Sequence, residues 1–358
     1  MQHLKEQLIR HKDSLSSQVA TLGFDGFIDS IIGLVNKQQP AAVNSMEAFG
    51  NYILNKKGSN FSLEIQERST KAGGNMPNMA GALAKLGLIV NCVGTLGFPQ
   101  VDPLFKQSLA ECRTYSFAAP GTSQAIEFSD GKMMLAGMQQ LDSANWQLLT
   151  QRIPVATLIA LFDNSRLAAL LNWGELSAST SIWQGLLQEV LPFCTPDKQK
   201  IFFVDLSDCS SRSKEDMLAA LALLQDFSRH RQLILSLNKN ECSTLYQQLF
   251  DEASSHTNLQ TMAEKIFRKI QPHTLVVHQR ASAMAFREKE FEQLHSPLVD
   301  NPVILTGAGD HFNAGFCAAQ LMGLNLTSSL ALAHLLAGCY IKKGQSPDWE
   351  EILKNTAP

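Results

Sequence analysis

The chain alternates between short, almost wholly apolar runs and longer segments in which apolar residues recur with helical spacing. Six of the short runs are apolar on both faces, which predicts strands of a helix-covered parallel sheet. These runs lie at 19–24, 88–94, 167–173, 200–205, 232–237 and 274–279. Helical spacing predicts helices at 77–87, 102–111, 213–229, 239–251, 258–270, 306–322 and 327–343. Their alternation through the second half predicts an α/β fold with a doubly wound, mostly parallel sheet flanked by helices.

Two segments, about 30–72 and about 112–142, break this rhythm with polar, alternating stretches such as FSLEIQE and SQAIEFSDGK. The Asp-Gly pair at 130–131 is typical of a hairpin turn. We therefore expect one α/β domain over residues 1–358, with these two insertions forming a small β-sheet that serves as a lid over a site. The alternative is surface elaboration without a role.

Charge and composition narrow the class of protein. The net charge of −3 gives no global attraction to nucleic acid or to an anionic membrane. Seven cysteines are scattered without a CxxC motif, which favours free thiols in a reducing compartment. The start, MQHLKEQLIRHKDSL, predicts a short amphipathic helix and lacks the apolar core of a signal peptide. We expect a cytoplasmic protein with no nucleic-acid and no membrane partner.

The stretch TGAGDHFNAGF, residues 306–316, is the first candidate for chemistry. The small residues Gly307, Ala308 and Gly309 let backbone N–H groups approach an anion at the start of a helix, where the helix dipole favours negative charge. Asp310 follows directly. It is either an ordinary N-terminal cap or a base that takes a proton from a nucleophile while the helix start binds a phosphoryl oxygen.

Glycines and carboxylates also mark the first hundred residues. Gly73 and Gly74 precede Asn78 at a predicted helix start, where backbone can come close to a ligand and an amide can bind a hydroxyl. Asp25 and Asp29 lie around a strand end and suit sugar hydroxyls. A plain loop and exposed turn carboxylates are the simpler alternatives.

A third stretch, SLNKNECSTL, places Asn238 and Glu241 three residues apart at a strand-to-helix junction. Two oxygen-bearing side chains at this spacing suit a hydrated Mg²⁺ ion. The same spacing is that of a helix capping arrangement, so both interpretations stay open.

Together these stretches resemble the ribokinase-like family of carbohydrate kinases, which includes the B-type phosphofructokinases, from about residue 19 to 345. The GG-x3-N loop, the N-x-x-E junction and the GAGD helix occur in the family's order. The resemblance implies a doubly wound domain with a small β lid, and transfer of the γ-phosphoryl group of ATP to a hydroxyl of a sugar or similar polyol. Many relatives dimerise through the lid, so the resemblance allows a homodimer for this chain without deciding it.

The resemblance also implies roles for individual residues. Asp310 would be the general base, and the backbone of Gly307, Ala308 and Gly309 would form an anion hole. Asn238 and Glu241 would organise Mg²⁺ and the phosphates, largely through water. Further candidates for ATP or phosphate binding are Thr306, Arg280 and Asn313. Candidates for holding the acceptor are Asp29 first, Asp25 second, and Gly73, Gly74, Asn75 and Asn78.

Three departures from the family pattern concern ATP and cations. His278 and Arg280 stand where a Thr-x-Gly turn usually contacts the nucleotide, which puts nucleotide affinity or choice in question. Ile304 stands where many members carry an aspartate, which makes activation by a monovalent cation doubtful. The stretch GTLGFPQVDPLF alters a glycine-aspartate signature, and Asp102 is a candidate replacement for its acid.

Two other functions fit the same motifs. The altered turn around His278 would suit a catalytically weak, regulatory protein that binds a sugar or a nucleotide. A nucleoside acceptor is the other, since Phe24, Phe27 and Met76 could pack against a base, although such residues usually belong to the core.

Overall fold

The computed structural model describes residues 2–252, 254 and 257–356, which form two β-sheets surrounded by helices. The strands are β1 Val19–Phe24, β2 Phe27–Val35, β3 Glu64–Gly73, β4 Ile89–Gly94, β5 Arg113–Ser116, β6 Gly121–Phe128, β7 Gly131–Gly137, β8 Leu167–Leu171, β9 Ile201–Asp205, β10 Gln232–Asn238, β11 Thr274–Gln279, β12 Ser282–Arg287 and β13 Glu290–His295. All six strands expected from the apolar runs are present. β8 ends early because Asn172 adopts a left-handed conformation, with φ 57°.

The helices include all seven that the spacing predicts. They are α1 Gln2–His11, α2 Met46–Asn55, α3 Asn75–Lys85, α4 Pro103–Ser108, α5 Trp146–Arg152, α6 Val155–Asn164, α7 Ser179–Gly185, α8 Lys214–His230, α9 Lys239–Phe250, α10 Leu259–Ile270, α11 Ala308–Leu321, α12 Leu326–Lys343 and α13 Trp349–Asn355. Within the described part of the chain, no helix combines the length and apolar character needed to cross a membrane.

The larger sheet has nine strands in the order β13-β12-β11-β10-β9-β8-β1-β4-β5. The seven strands from β11 to β5 run parallel, and β12 and β13 extend one edge as antiparallel strands. The expected doubly wound, mostly parallel sheet is therefore confirmed. Its parallel strands place their carboxyl ends, including Asp205 of β9 and Asn238 of β10, along one edge of the sheet.

Both faces of this sheet are covered by apolar side chains. On β9, Phe203 packs into a core cluster that contains α3, α11 and α12, whereas Phe202 and Val204 belong to the cluster on the opposite face. Phe24, Phe27 and Met76 are also core residues, at 1%, 5% and 0% exposure. None of these three is free to pack against a nucleoside base, so the structure removes that argument for a nucleoside acceptor.

The smaller sheet has four strands in the order β3-β2-β6-β7. β2 follows β1 after only Asp25 and Gly26, so this sheet begins where a central strand of the larger sheet ends. The expected small sheet is confirmed, but the boundary at 112 is wrong, because β5 pairs in parallel with β4 of the larger sheet. A homodimer through the lid stays a prediction, which the molecular mass in solution would test.

Candidate active site

The loop at 73–78 and the stretch at 306–310 meet at the start of α11. Asn78 and Asp310, which are 232 residues apart in sequence, join them by a hydrogen bond. Gly307 caps this helix with φ 90°, a conformation that favours glycine. Asp310 lies in the first turn and is buried, and its Oδ2 atom accepts a hydrogen bond of 2.8 Å from Nδ2 of Asn78. The amide of Ala308 donates to the carbonyl oxygen of Leu305 at 3.2 Å within the same tight turn. The carboxylate thus lies beside a helix start and within reach of the loop at 73–78.

The environment of Asp310 favours its protonated form. Burial raises the pKa of Asp310 well above its usual range, and the negative charge of Asp205 raises it further. The hydrogen bond from Asn78 acts in the opposite direction because it stabilises the carboxylate. A carboxylate with a raised pKa is a stronger base than one in water.

Asp25 anchors the start of α3. Its carboxylate accepts hydrogen bonds from the amides of Asn75 at 2.7 Å and Met76 at 2.9 Å, and from Nδ2 of Asn172 at 3.1 Å. Burial raises the pKa of Asp25 to about 6, although these hydrogen bonds oppose the shift. With 0% exposure, this side chain is committed to holding the loop in place. Sequence reasoning, which made Asp25 the second choice after Asp29 for binding the acceptor, did not foresee this capping contact.

Asp29 lies on β2, at the base of the lid, opposite Lys71 of β3. A Cβ atom at Gly73 would collide with the Asp29 carboxylate, and one at Gly74, where φ is 103°, would lie 2.7 Å from Oδ2 of Asp25. The two glycines therefore leave room for the two carboxylates. Asp29 is only partly buried, which makes it the better candidate of the two for contacting an acceptor.

A chain of buried hydrogen bonds joins the acceptor loop to α11. Nδ2 of Asn75 donates to Oγ of Ser207 at 2.7 Å, and the amide of Ser207 donates to Oδ1 of Asp205 at 2.9 Å. Asn313 closes the chain, because its Nδ2 donates to Oδ2 of Asp205 at 2.7 Å and its Oδ1 accepts from Ser236 at 2.8 Å. The structure thus places Asn313, expected near the ATP phosphates, in this network. Asp205, whose pKa burial raises to about 6, was missed by sequence reasoning.

Asn238 and Glu241 form a capping box at the start of α9. Oδ1 of Asn238 accepts from the amide of Glu241 at 3.0 Å, and Oε2 of Glu241 accepts from the amide of Asn238 at 2.8 Å. Burial raises the pKa of Glu241 well above its usual range, and the nearby charge of Asp205 adds to this. Asn238 and Glu241 therefore do form the helix cap that their spacing allows. This cap does not exclude a Mg²⁺ ion bound nearby. Two neighbouring buried acids are a donor set that suits a hard cation.

No group of three or more metal-ligating His, Cys, Asp or Glu side chains occurs among the described residues. A Mg²⁺ ion at Glu241 and Asp205 would therefore take most of its ligands from water and phosphate, as Mg²⁺ usually does. The residues present fit such an ion.

The altered turn lies against α11. The imidazole of His278 stacks on Phe312 with ring centroids 4.7 Å apart, and a Cβ at Gly309 would lie 3.5 Å from its Cε1 atom. Burial lowers the pKa of His278 to about 4, so the ring is neutral at physiological pH. Arg280 is exposed in the turn between β11 and β12. Thr306 is exposed, and its carbonyl oxygen accepts a hydrogen bond of 2.9 Å from the hydroxyl of Tyr340.

A cavity of about 630 Å³ lies beside α12 and the loop that follows β13. Its lining includes His295, Leu298, His334, Gly338 and Lys342. The ring of His334 meets Phe312 edge-on at 5.2 Å, so the cavity adjoins the first turns of α11. Nε2 of His334 is buried with no hydrogen-bond partner. Burial lowers the pKa of His334 to about 4, so its ring is neutral at physiological pH.

Comparisons with known proteins agree with this architecture. A model of the prokaryotic ketohexokinase family matches residues 3–357. A ketohexokinase from Haloferax volcanii is 25% identical over 336 residues, which is 92% of this chain and 88% of that protein. The structure of Arabidopsis thaliana ribokinase with ribose and ATP aligns over 94% of this chain and 97% of the ribokinase chain, with a TM-score of 0.66 and 20% identity. The structure of Burkholderia thailandensis nucleoside kinase with inosine aligns over 93% of this chain and 96% of the nucleoside kinase chain, with a TM-score of 0.61 and 15% identity.

The fold and the family match define a carbohydrate kinase of the ribokinase-like class, as the motifs predicted. Within that class, the chain belongs to the prokaryotic ketohexokinase family.

Proposed function

We propose that the protein transfers the γ-phosphoryl group of ATP to a hydroxyl of a ketohexose. The observation that carries this proposal is the buried Asp310 carboxylate at the start of α11, bonded to Asn78 of the acceptor loop. The family match and the ketohexokinase relative support a ketohexose as the acceptor.

In the proposed reaction, Asp310 takes the proton of the attacking hydroxyl as the hydroxyl oxygen bonds to the γ-phosphorus and the bond from that phosphorus to the bridging oxygen breaks, so that ADP leaves. Its raised pKa brings its basicity closer to that of the alcohol, which aids proton transfer. The N–H groups of Gly307 and Gly309 would stabilise the charge on the transferring group, and that of Ala308 would join them on leaving the carbonyl oxygen of Leu305. The helix dipole of α11 acts in the same direction.

The acceptor would lie between the lid and the start of α3. Asp29 and the amide of Asn78 would bind sugar hydroxyls, and Gly73 and Gly74 would allow close approach of backbone. Asn75 is bonded to Ser207, which leaves it the task of shaping this loop. Closure of the smaller sheet would exclude water and so protect ATP from hydrolysis.

We assign Mg²⁺ to Glu241 and Asp205, where it would offset phosphate charge when bound. Replacing Glu241 by Gln keeps one oxygen for the capping box but removes the charge. We expect the Mg²⁺ concentration for half-maximal rate to rise roughly 10-fold, as for other residues that act beside a metal. The matched control is Glu351→Gln, at the third position of helix α13, where the carboxylate forms an ion pair with Lys343. An unmoved Mg²⁺ titration would leave Glu241 as a cap alone.

We assign the base of ATP to the cavity lined by His334, because Nε2 of that residue lacks a partner and the cavity adjoins α11. Arg280 and Thr306 would then flank the phosphates. His334→Ala should raise KM for ATP by roughly 5- to 10-fold, the value of one hydrogen bond, and leave KM for the sugar unchanged. If KM for ATP stays the same, the base binds elsewhere.

ADP release with Mg²⁺-ATP, measured across ketohexoses, aldoses, sugar phosphates and nucleosides, tests the acceptor assignment. The expected result is ADP release with a ketohexose. Preference for an aldose or a nucleoside would overturn the choice of acceptor. ATP binding without turnover on any acceptor would favour the regulatory alternative, which the replacement of the usual nucleotide turn by His278 and Arg280 motivates.

A further inference from the structure

Side chains contact the two carbonyl groups immediately before α11, one from α12 and one from α11 itself. The hydroxyl of Tyr340, on α12, donates to the carbonyl oxygen of Thr306 at 2.9 Å. Nδ1 of His311 lies 2.7 Å from the carbonyl oxygen of Gly307. The rings of His311 and Tyr340 stack with their centroids 3.6 Å apart and an interplanar angle of 14°. The two side chains therefore form one rigid unit behind the loop.

The protonation state of this unit follows from its partners. A carbonyl oxygen only accepts, so Nδ1 of His311 carries the proton. Nε2 then accepts from the hydroxyl of Ser346, at 2.8 Å. Burial lowers the pKa of His311 to about 4 and raises that of Tyr340 to about 12. Imidazole and phenol are thus both neutral hydrogen-bond donors throughout the physiological range.

The peptide between Thr306 and Gly307 needs such support more than its neighbours do. It precedes the helix, so no intrahelical hydrogen bond fixes its orientation, and glycine tolerates either sign of φ. In a trans peptide the carbonyl and the N–H point in opposite directions. If this peptide rotated, a carbonyl oxygen would replace an N–H group at the anion hole and would repel the phosphoryl oxygens.

We propose that Tyr340 is a positioning residue that keeps the Thr306–Gly307 amide directed at the transferring phosphoryl group, with His311 and Ser346 bracing its ring. This inference rests on the proposed kinase function. It concerns only the orientation of the anion hole, and it requires no contact of Tyr340 with either substrate.

Tyr340→Phe removes the hydroxyl and keeps the stacked ring. We expect kcat to fall about 10-fold, corresponding to one hydrogen bond, while KM for sugar and for ATP changes less than about twofold. Binding of ADP with Mg²⁺ and aluminium fluoride, a mimic of the transferring group, should weaken by a similar factor, whereas binding of ADP alone should not. Tyr246→Phe is the matched control, because it removes a tyrosine hydroxyl that bonds Glu252, away from this loop.

Variants of His311 test its hydrogen bond to the Gly307 carbonyl, because neither asparagine nor glutamine keeps the stacked ring. Asparagine can place its amide nitrogen near the position of Nδ1 and keep the bond to Gly307, whereas glutamine places its amide nearer to Nε2. We therefore expect His311→Asn to retain more of kcat than His311→Gln at equal thermal stability.

An unchanged kcat in Tyr340→Phe, or a loss of ADP affinity and thermal stability that matches the loss of kcat, would overturn the inference while leaving the kinase proposal standing. A wild-type chain that binds ATP and releases no ADP with any acceptor would overturn both.

Discussion

Replacing Asp310 by asparagine should lower kcat by roughly 10²–10⁴-fold, the usual loss for a missing general base. The variant keeps the shape of the side chain and an oxygen that can still accept from Asn78, so the loop at 73–78 keeps its anchor. KM for the sugar and the Kd of ATP should therefore change little. Turnover within threefold of wild type would show that the carboxylate is only a charge at the helix start.

The same variant should be more stable than the wild type at neutral pH. Because the folded-state pKa of Asp310 is raised, the folded protein binds this proton more tightly than the unfolded chain does. That stabilisation is complete below the unfolded pKa of about 4 and is lost as pH rises through the folded value. Asparagine is neutral at every pH. The difference in Tm between variant and wild type should grow above about pH 4 and level off beyond the folded pKa.

The pH dependence of wild-type turnover should follow from the same group. Asp310 acts only when deprotonated, so kcat should rise with pH through its raised pKa, and that rise should be absent from the residual rate of the asparagine variant. A wild-type profile that is flat through this range would contradict the assignment of Asp310 as the base.

The sequence predicted the parts of the fold that are set by local pattern. Runs such as KIFFVD are short, rich in aromatic and β-branched residues and apolar on both faces, which indicates a buried strand. The hairpin of β12 and β13 was missed because its short strands, SAMAFR and EFEQLH, are joined by Glu288 and Lys289, which carry no glycine or asparagine turn signal.

Site residues that belong to a sequence motif were predicted. Site residues whose role depends on hydrogen-bond partners distant in the sequence were missed. The sequence ranks Asp29 above Asp25 as an acceptor ligand, but only the folded structure shows that Asp25 accepts hydrogen bonds from the amides at the start of α3. Asp205 looks like any polar strand end until Asn313 and Ser207 are found to bond it. In the sequence, nothing distinguishes His311 from the other residues of a predicted apolar helix. Its partner Ser346 is 35 residues away, and no local pattern links them.

Gly307→Ala should give the second largest loss, with kcat about 10²-fold lower. The left-handed φ of 90° costs a residue with a side chain about 1–3 kcal/mol. In addition, the new Cβ would lie 2.9 Å from the hydroxyl of Tyr340 and 3.1 Å from Nδ2 of Asn78. Either neighbour must move, and they position the anion hole and Asp310 respectively. Displacement of reacting groups by about 1 Å is enough for a loss of this size.

Gly323→Ala is the matched control, because Gly323 has a φ of 72° and an added Cβ there meets nothing within 4 Å. It carries the backbone strain without the collision, so it should lower Tm and leave kcat unchanged. If both variants lose stability and neither loses kcat, the space around Gly307 is not needed for catalysis.

The double variant G307A/Y340F shows whether the loss of kcat in Gly307→Ala comes from the collision of the new Cβ or from backbone strain. Phenylalanine lacks the oxygen that the new Cβ would meet, so it relieves one of the two close contacts at residue 307. If the collision causes the loss, the two effects overlap, and kcat should fall no further than in Gly307→Ala alone. If backbone strain causes it, the effects are independent and should multiply to a loss of about 10³-fold, since the separate losses are about 10²-fold and about 10-fold.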